Sequence, residues 1–446
     1  MSTPDPATGT AERPDGPIVR ASGPTLWHNR DYLLLMSGKT TQIIGAGLAA
    51  FAVPLIAYDL TKSVFLAGLV SAIGAVGALV AALPAGAVAD RVNRRSLLIW
   101  CSVFGVLLWG SLVVAALLGA LNVWHLAAVL FLSNIVGAFF APAESAGIRE
   151  VVRSDQLGSA MAAMQGRSAV AGLASGPIGG ILYGISHAWP LVANVVGYAI
   201  AGLCTLFVRA PLNGDLSHAK RLSATHLLKD GLRFVWATTF LRTSIVIFSG
   251  INLAFGGIMF SLNLHLVQVG TAPFLIGLID AVAGLAMLVG AVFAGPLVKR
   301  FKSGHLAIAC MVLLVGGAIG LAASIEYVEY LISIAIAAIG VPALNSALLG
   351  YASAITPSKL QGRMNSVLSL CSVAVAPISP VLAGLFLGTM SVNASMGIFA
   401  ALLLVAAVFF TLYKPIRTIG LPGTWADDLI EWPDPDAGLV ERPAVD

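Results

Sequence analysis

From Val64 to Ala89, and again from Ser96 to Leu121, the chain carries no charged side chain. About 20 apolar residues cross a hydrocarbon layer as a helix, so each of these runs is long enough to span a membrane. Twelve windows of this kind are predicted, over 32–58, 64–89, 96–118, 123–143, 157–184, 187–208, 243–268, 273–297, 305–324, 329–352, 364–389 and 392–413. Composition agrees: 58% of residues are hydrophobic and 10% charged, where soluble domains carry about 25% charged residues. Long alternating segments of the outer-membrane barrel kind are missing. The spans are therefore expected to be helices, which satisfy each backbone N–H and C=O within their own segment. The connections 59–63, 119–122 and 270–272 are so short that the spans they join must form antiparallel hairpins.

Basic residues set the expected orientation. Of 25 Lys and Arg, Lys62 alone falls in a loop on one side, while Lys39 and Arg167 fall inside spans. All the rest lie in the two tails and in every second loop. By the positive-inside rule that side, with both termini, is predicted to be cytoplasmic, in an inner or plasma membrane. Residues 1–30, rich in Pro, Gly, Ser and Thr, read as a disordered arm, not a signal peptide. The acidic, Pro-containing tail 414–446 also reads as disordered, with Trp425 and Trp432 as the alternative of a partner-binding motif. A net charge of +4 reflects membrane anchoring and gives no indication of nucleic acid.

Other chemistries find little support. Cys101, Cys204, Cys310 and Cys371 fall on four separate spans without metal-ligand spacing, so neither a metal site nor structural disulfides are expected. There is no phosphate-cradling loop, dinucleotide turn or catalytic constellation. The chain is therefore not expected to be an enzyme or to hold a cofactor, and any uphill transport must draw on a gradient.

The chain divides in two. Residues 31–208 and 243–413 each hold six spans, separated by a polar segment, 209–242. Within that linker, Leu228, Leu232 and Val235 recur at helical spacing between Lys229, Asp230 and Arg233, predicting an amphipathic helix over 225–238 on the membrane surface. Ala85-Gly86-(x)4-Arg91 recurs as Ala294-Gly295-(x)4-Arg300, and Leu157, Met161 and Pro177 align with Leu360, Met364 and Pro380. A parallel duplication around a central cleft fits this pattern.

The loop between the two uncharged runs reads Gly86-Ala87-Val88-Ala89-Asp90-Arg91-Val92-Asn93-Arg94-Arg95. Its spacing, Gly-x-x-x-Asp-Arg-x-x-Arg-Arg, resembles the signature loop of the major facilitator superfamily of secondary transporters. Span 5 contains Gly172-Leu-Ala-Ser-Gly176-Pro177-Ile-Gly179-Gly180, similar to a motif of proton-coupled exporters in that superfamily. Ala141-Pro142-Ala143-Glu144 and Leu360-Gln361-Gly362-Arg363-Met364-Asn365-Ser366-Val367 are similar to its branch of macrolide, siderophore and multidrug exporters. The resemblance implies a twelve-helix transporter in two six-helix halves. It would export a small hydrophobic or amphipathic organic molecule by proton antiport, acting as a monomer. Uptake or facilitative transport on the same fold is the alternative, and a transport-silent receptor or scaffold a more distant one. Span 4 lacks the intramembrane Arg common in several drug-exporting groups, so their coupling scheme does not carry over.

Three sets of candidate residues follow. Gly86, Asp90, Arg91, Arg94 and Arg95, with Glu144, are expected to form a charged latch holding the halves together on the inner side; the alternative is topology anchoring alone. Gly172, Gly176, Gly179 and Gly180 clear one helical face for close packing, and Pro177 removes a backbone donor and weakens the ladder. Third are the ionisable groups inside spans, whose charge costs about 2.5–3.5 kcal/mol at the bilayer centre on insertion scales. Lys39, roughly 10 Å into span 1, is able to snorkel. Arg167, roughly 15 Å along span 5, is placed to bind an anionic substrate group or counter a carboxylate. Asp280 is the candidate for proton exchange, with His265 as a partner in relaying that proton and a permanently bonded structural role as the competing reading.

Overall fold

Asn29 starts the first helix: its side-chain oxygen accepts from the backbone N–H groups of Asp31 and Tyr32, two donors that a helix start otherwise leaves unpaired. Asn93, Asn122 and Ser391 cap three later helices in the same way. The computed structural model describes residues 26–89, 91–213, 224–430 and 432. Its first half comprises α1 (Arg30–Thr61), α2 (Val64–Ala89), α3 (Arg94–Leu117), α4 (Val123–Val151), α5 (Leu157–Ile185) and α6 (Trp189–Phe207). After α7 (Ala224–Ala237) the second half runs through α8 (Thr239–Gln268), α9 (Pro273–Arg300), α10 (Ser303–Ala323), α11 (Tyr327–Ile339), α12 (Val341–Ala354), α13 (Ser358–Val375), α14 (Ile378–Thr389) and α15 (Val392–Leu412).

Among the described residues, twelve spans are long and apolar enough to cross a membrane, counting α11 with α12 and α13 with α14. Both composite spans break at proline. Pro342 follows the Gly340 junction, and Pro377 separates α13 from α14; neither ring nitrogen has a hydrogen to donate to the helical ladder. Gly119 and Gly270, at φ of 65° and 75°, turn the chain between neighbouring helices in a left-handed conformation that side chains resist. With an even number of antiparallel spans, both ends lie at one face of the bundle, here the termini face, and the short hairpin turns lie at the opposite face.

Within the first half α1 packs on α5 and α6, and α4 on α2 and α3; within the second, α15 packs on α8 and α10, and α11 on α9 and α10. Lipid is as apolar as leucine, so close backbone approach and dispersion hold such helices together. Gly197 and Gly77 let α6 and α2 come within contact of the carbonyls of Thr41 and Phe131. Trp100, Phe207, Val292 and Phe409 are each more than half exposed. So much outward apolar surface suits lipid.

Three expectations are corrected. The N-terminal arm does not extend to residue 30: Leu26–His28 form a turn of 3-10 helix with Leu26 buried, and Asn29 also donates to Val151 O. Residues 1–25 lie outside the described residues. The linker helix does not simply lie on a surface. Phe234 and Val235 of α7 are fully buried, and Gly231 packs against the backbone of Arg363 in α13, although Leu232 and Trp236 remain about half exposed. The tail is folded well past residue 414. Its backbone bonds Ser303 and Gly304 at the start of α10, Pro422–Asp428 form a 3-10 helix, Trp425 packs edge-on against Tyr351, and Trp432 meets Phe234 edge-on at 5.2 Å. Here apolar side chains bury against protein, which outweighs the ordering cost that composition alone suggested. Residues 433–446 lie outside the described residues.

Candidate functional site

The two halves meet along two seams built on glycine. At the first, a methyl group added to Gly176 in α5 would meet Gly277 O of α9 at 2.5 Å and Asp280 Cβ at 2.9 Å, and one on Gly180 would meet Pro273 O at 2.3 Å. At the second, Gly68 of α2 abuts Pro380 O, and Gly384 of α14 abuts Val64 O. Both contacts lie toward the opposite face. Past the contact of Gly284 with Leu173, toward the termini face, α5 and α9 part: nothing lies within 4 Å of a methyl group built on Gly158, Gly166 or Gly295, and Val170 is mostly exposed.

Beside the first seam lies a cavity of about 420 Å³ lined from both halves, by Phe51, Leu55, Ser71, Gly172, Ser175 and Gly176 on one side and Phe260, Asn263, Leu264, Asp280 and Pro380 on the other. Its polar groups have few partners. Asp280 forms no hydrogen bond or ion pair with another described residue, and Asn263 Oδ1 is buried without a donor. The hydroxyls of Ser71 and Ser175 already donate to the carbonyls of Ala67 and Ala171, at 3.1 and 2.6 Å. The cavity therefore offers the Asp280 carboxylate and the Asn263 amide, which can both accept and donate, beside Phe51 and Phe260, and the carboxylate calls for a donor from a molecule that fits there.

Arg167 has a different setting. Its guanidinium donates to Glu144 Oε1 at 2.9 Å, and the two side chains are 7% and 4% exposed; it also reaches Met36 Sδ at 3.3 Å. Lys39 does not snorkel away: its ammonium sits 4.2 Å over the Phe140 ring. The expected pairing of Glu144 with the loop arginines is thus not made, because α5 supplies a nearer cation. Arg94 instead meets Glu150 Oε1 at 3.3 Å and Leu212 O at 3.1 Å, while Arg95 donates to Leu206 O at 2.7 Å near the end of α6. The described partners of Arg94 and Arg95 all belong to the first half and its outgoing chain; none crosses to the second. Arg91 is exposed and Gly86 lies on α2; Asp90 lies outside the described residues.

Of the packing residues, Gly176, Gly179 and Gly180 touch neighbouring helices, Gly179 against the Phe51 ring, whereas Gly172 borders the cavity. Pro177 sits within an unbroken α5. His265 does not line the cavity and has no described contact with Asp280. Sequence reasoning missed Asn263, though the hairpin turn at 269–272 puts it at the same depth as Asp280. Asp59, near the end of α1, is a second residue that was not singled out from the sequence. Its carboxylate accepts from the Tyr183 hydroxyl, pairs with Lys62 at 3.1 Å and faces His187 Nε2 at 3.6 Å, tying α1 to α5 at the opposite face.

Two like-built halves, joined at glycine seams around a cavity reached by both, define a membrane transporter. The chain belongs to the Major Facilitator Superfamily, whose family model matches residues 35–270 and 246–431; it is a multi-pass membrane protein. It is 21% identical over 405 residues to macrolide efflux protein A of Streptococcus pyogenes, covering 87% of this chain and 97% of the relative. It is 27% identical over 226 residues to the multidrug efflux pump Tap of Mycolicibacterium fortuitum, covering 48% of this chain and 54% of that one. Among solved structures, the nucleoside transporter NupG superposes with a TM-score of 0.68 at 13% identity, covering 86% of this chain and 100% of its own. A bacterial homologue of the human lysosomal transporter Spinster, inward-facing and occupied, gives 0.68 at 17%, covering 89% and 99%. At these identities the structures share the fold alone.

Proposed function

We propose that this protein exports a small amphipathic organic molecule in exchange for protons, from an inner or plasma membrane with both termini in the cytoplasm. The observation that carries the reading is Asp280, a carboxylate without a counter-charge in a cavity that both halves line. As an anion beside Phe51, Phe260 and Leu55 it is costly; a proton removes that charge, a cationic substrate balances it, and a substrate N–H offsets part of the cost by hydrogen bonding. Proton and substrate donor compete for the same oxygens, which couples their movements without a relay through His265. The names of the efflux relatives support the direction. The distribution of Lys and Arg supports the orientation, and on that orientation the parted face of α5 and α9 opens to the cytoplasm.

On this reading residues 31–208 and 243–413 rock about the glycine seams. The Gly86–Arg95 loop, with Asp90, closes the inner side in the other conformation. Efflux of preloaded lipophilic compounds from cells lacking their own pumps tests it. Wild type is expected to lower accumulation, and Asp280→Asn to reduce proton-driven efflux at least tenfold and to weaken the binding of cationic substrates. Efflux that survives Asp280→Asn but stops with a protonophore removes Asp280 from the coupling path. Raised accumulation favours uptake.

A further inference from the structure

The buried group around Arg167 is rich in donors and short of acceptors. Arg167 spends one nitrogen on Glu144 and Met36, but its Nε is buried without a partner. Tyr32 is 0% exposed, and its hydroxyl is likewise unpartnered. Lys39 lies close enough to feel both Glu144 and Arg167, yet its ammonium has only the Phe140 face and no oxygen among the described residues. Two cations thus share one carboxylate inside the membrane-spanning layer, where unbalanced charge is expensive and marks function. Arginine, lysine and tyrosine together bring several N–H and O–H donors to a place with one carboxylate and a thioether to receive them.

We infer that Lys39, Arg167 and Tyr32, with Glu144 holding the guanidinium in place, form a binding site for the anionic oxygen group of an amphipathic organic acid. This deepens the export reading, and rests on it, by naming a class of solute. The space beside Gly166, one residue from Arg167, is open, and Lys39 is partly exposed, so Lys39 is the donor reachable from the parted face, with the buried Arg167 and Tyr32 behind it. The charges lie roughly 10–15 Å in from the helix ends at about 1.5 Å per residue. A solute reaches that depth more readily than a lipid headgroup held at the interface. The site differs from the Asp280 cavity in sign and in the helices that build it, so one molecule with an acid at one end and an N–H donor at the other is suited to both.

The test is equilibrium binding of radiolabelled decanoate to the full-length protein in phosphatidylcholine nanodiscs, with decanamide and decyltrimethylammonium as competitors of the same tail length. Expected are competition at least tenfold weaker from both neutral and cationic tails than from unlabelled decanoate, and binding at least tenfold weaker in Lys39→Gln but retained in Lys39→Arg. Lys39→Gln leaves the Arg167–Glu144 pair intact, and a wild-type gel-filtration profile establishes that it folds. Equal competition by all three tails, or unchanged binding in Lys39→Gln, overturns the site. So does loss of decanoate binding when phosphatidylglycerol is added to the wild-type discs, which assigns the donors to a lipid headgroup. Asp280→Asn is expected to keep decanoate binding. Normal efflux in Asp280→Asn alongside lost binding in Lys39→Gln therefore removes the proton-coupling reading while leaving the anion site standing.

Discussion

Glu144 and Asp280 are both carboxylates within membrane spans, one in each half, and their surroundings are opposite. Glu144 is 4% exposed and held by a guanidinium at 2.9 Å. Asp280 borders a cavity with apolar walls, an unsatisfied amide oxygen and no cation. Each lies seven residues from a helix end, Glu144 toward the termini face and Asp280 toward the opposite one, so distance from the end does not explain the difference; the neighbouring helix does. α5 brings Arg167 to α4, whereas the same α5 meets α9 at Gly176, where a side chain has no room. A paired carboxylate is suited to hold structure, and an unpaired one to exchange its charge.

Removing partners is the direct way to break that contrast. Arg167→Ala leaves Glu144 buried with Lys39 as its remaining nearby cation and no ion pair at contact distance, and breaking a buried pair in this way costs about 3–5 kcal/mol. The expected outcome is a large fall in melting temperature and in yield of folded protein, recovered in part by Arg167→Met with Glu144→Leu. Survival of Arg167→Ala at wild-type stability would mean that Lys39 or water, not Arg167, balances Glu144. Next in size is the seam. Gly176→Leu drives a side chain into Gly277 O and Asp280, and overpacking of this kind costs about 1–3 kcal/mol. It is expected to force the opposite face open, seen as increased labelling of Gln268→Cys by a membrane-impermeant thiol reagent.

Asp280→Asn sharpens the comparison from the other side. Since no ion pair is lost, its melting temperature should match wild type or exceed it, even where proton-driven efflux is abolished. Glu144→Gln, measured alongside, should lower it. The smallest effect is expected at Arg94 and Glu150, an ion pair 13% and 36% exposed. Glu150→Gln should change stability by no more than about 1 kcal/mol, and a larger loss would give the loop a holding role comparable with the buried pair.

How much of this was legible before folding depends on the range of each interaction. The twelve spans could be read in place because crossing a bilayer is a requirement on each segment alone, a matter of length and apolarity. α2 occupies the expected 64–89, and α15 ends one residue short of its window. The breaks near Pro342 and Pro377 were not legible in this way, since Pro54, Pro84, Pro142, Pro177 and Pro296 lie inside helices that continue through them. The tail was misread because Trp425 and Trp432 gain their burial from Tyr351 and Phe234, residues distant along the chain.

The sequence by itself determined that this is a helical membrane protein of twelve spans, and which of its residues would be costly to bury. Only the tertiary structure decided that Arg167 answers Glu144, that Arg94 answers Glu150, and that Asp280 and Asn263 share a cavity without a cation. The physical reason is that hydropathy is a property of a segment and its solvent, whereas the partner of a charge is set by which helices touch and at what depth. In this chain, glycines set how close the helices can come.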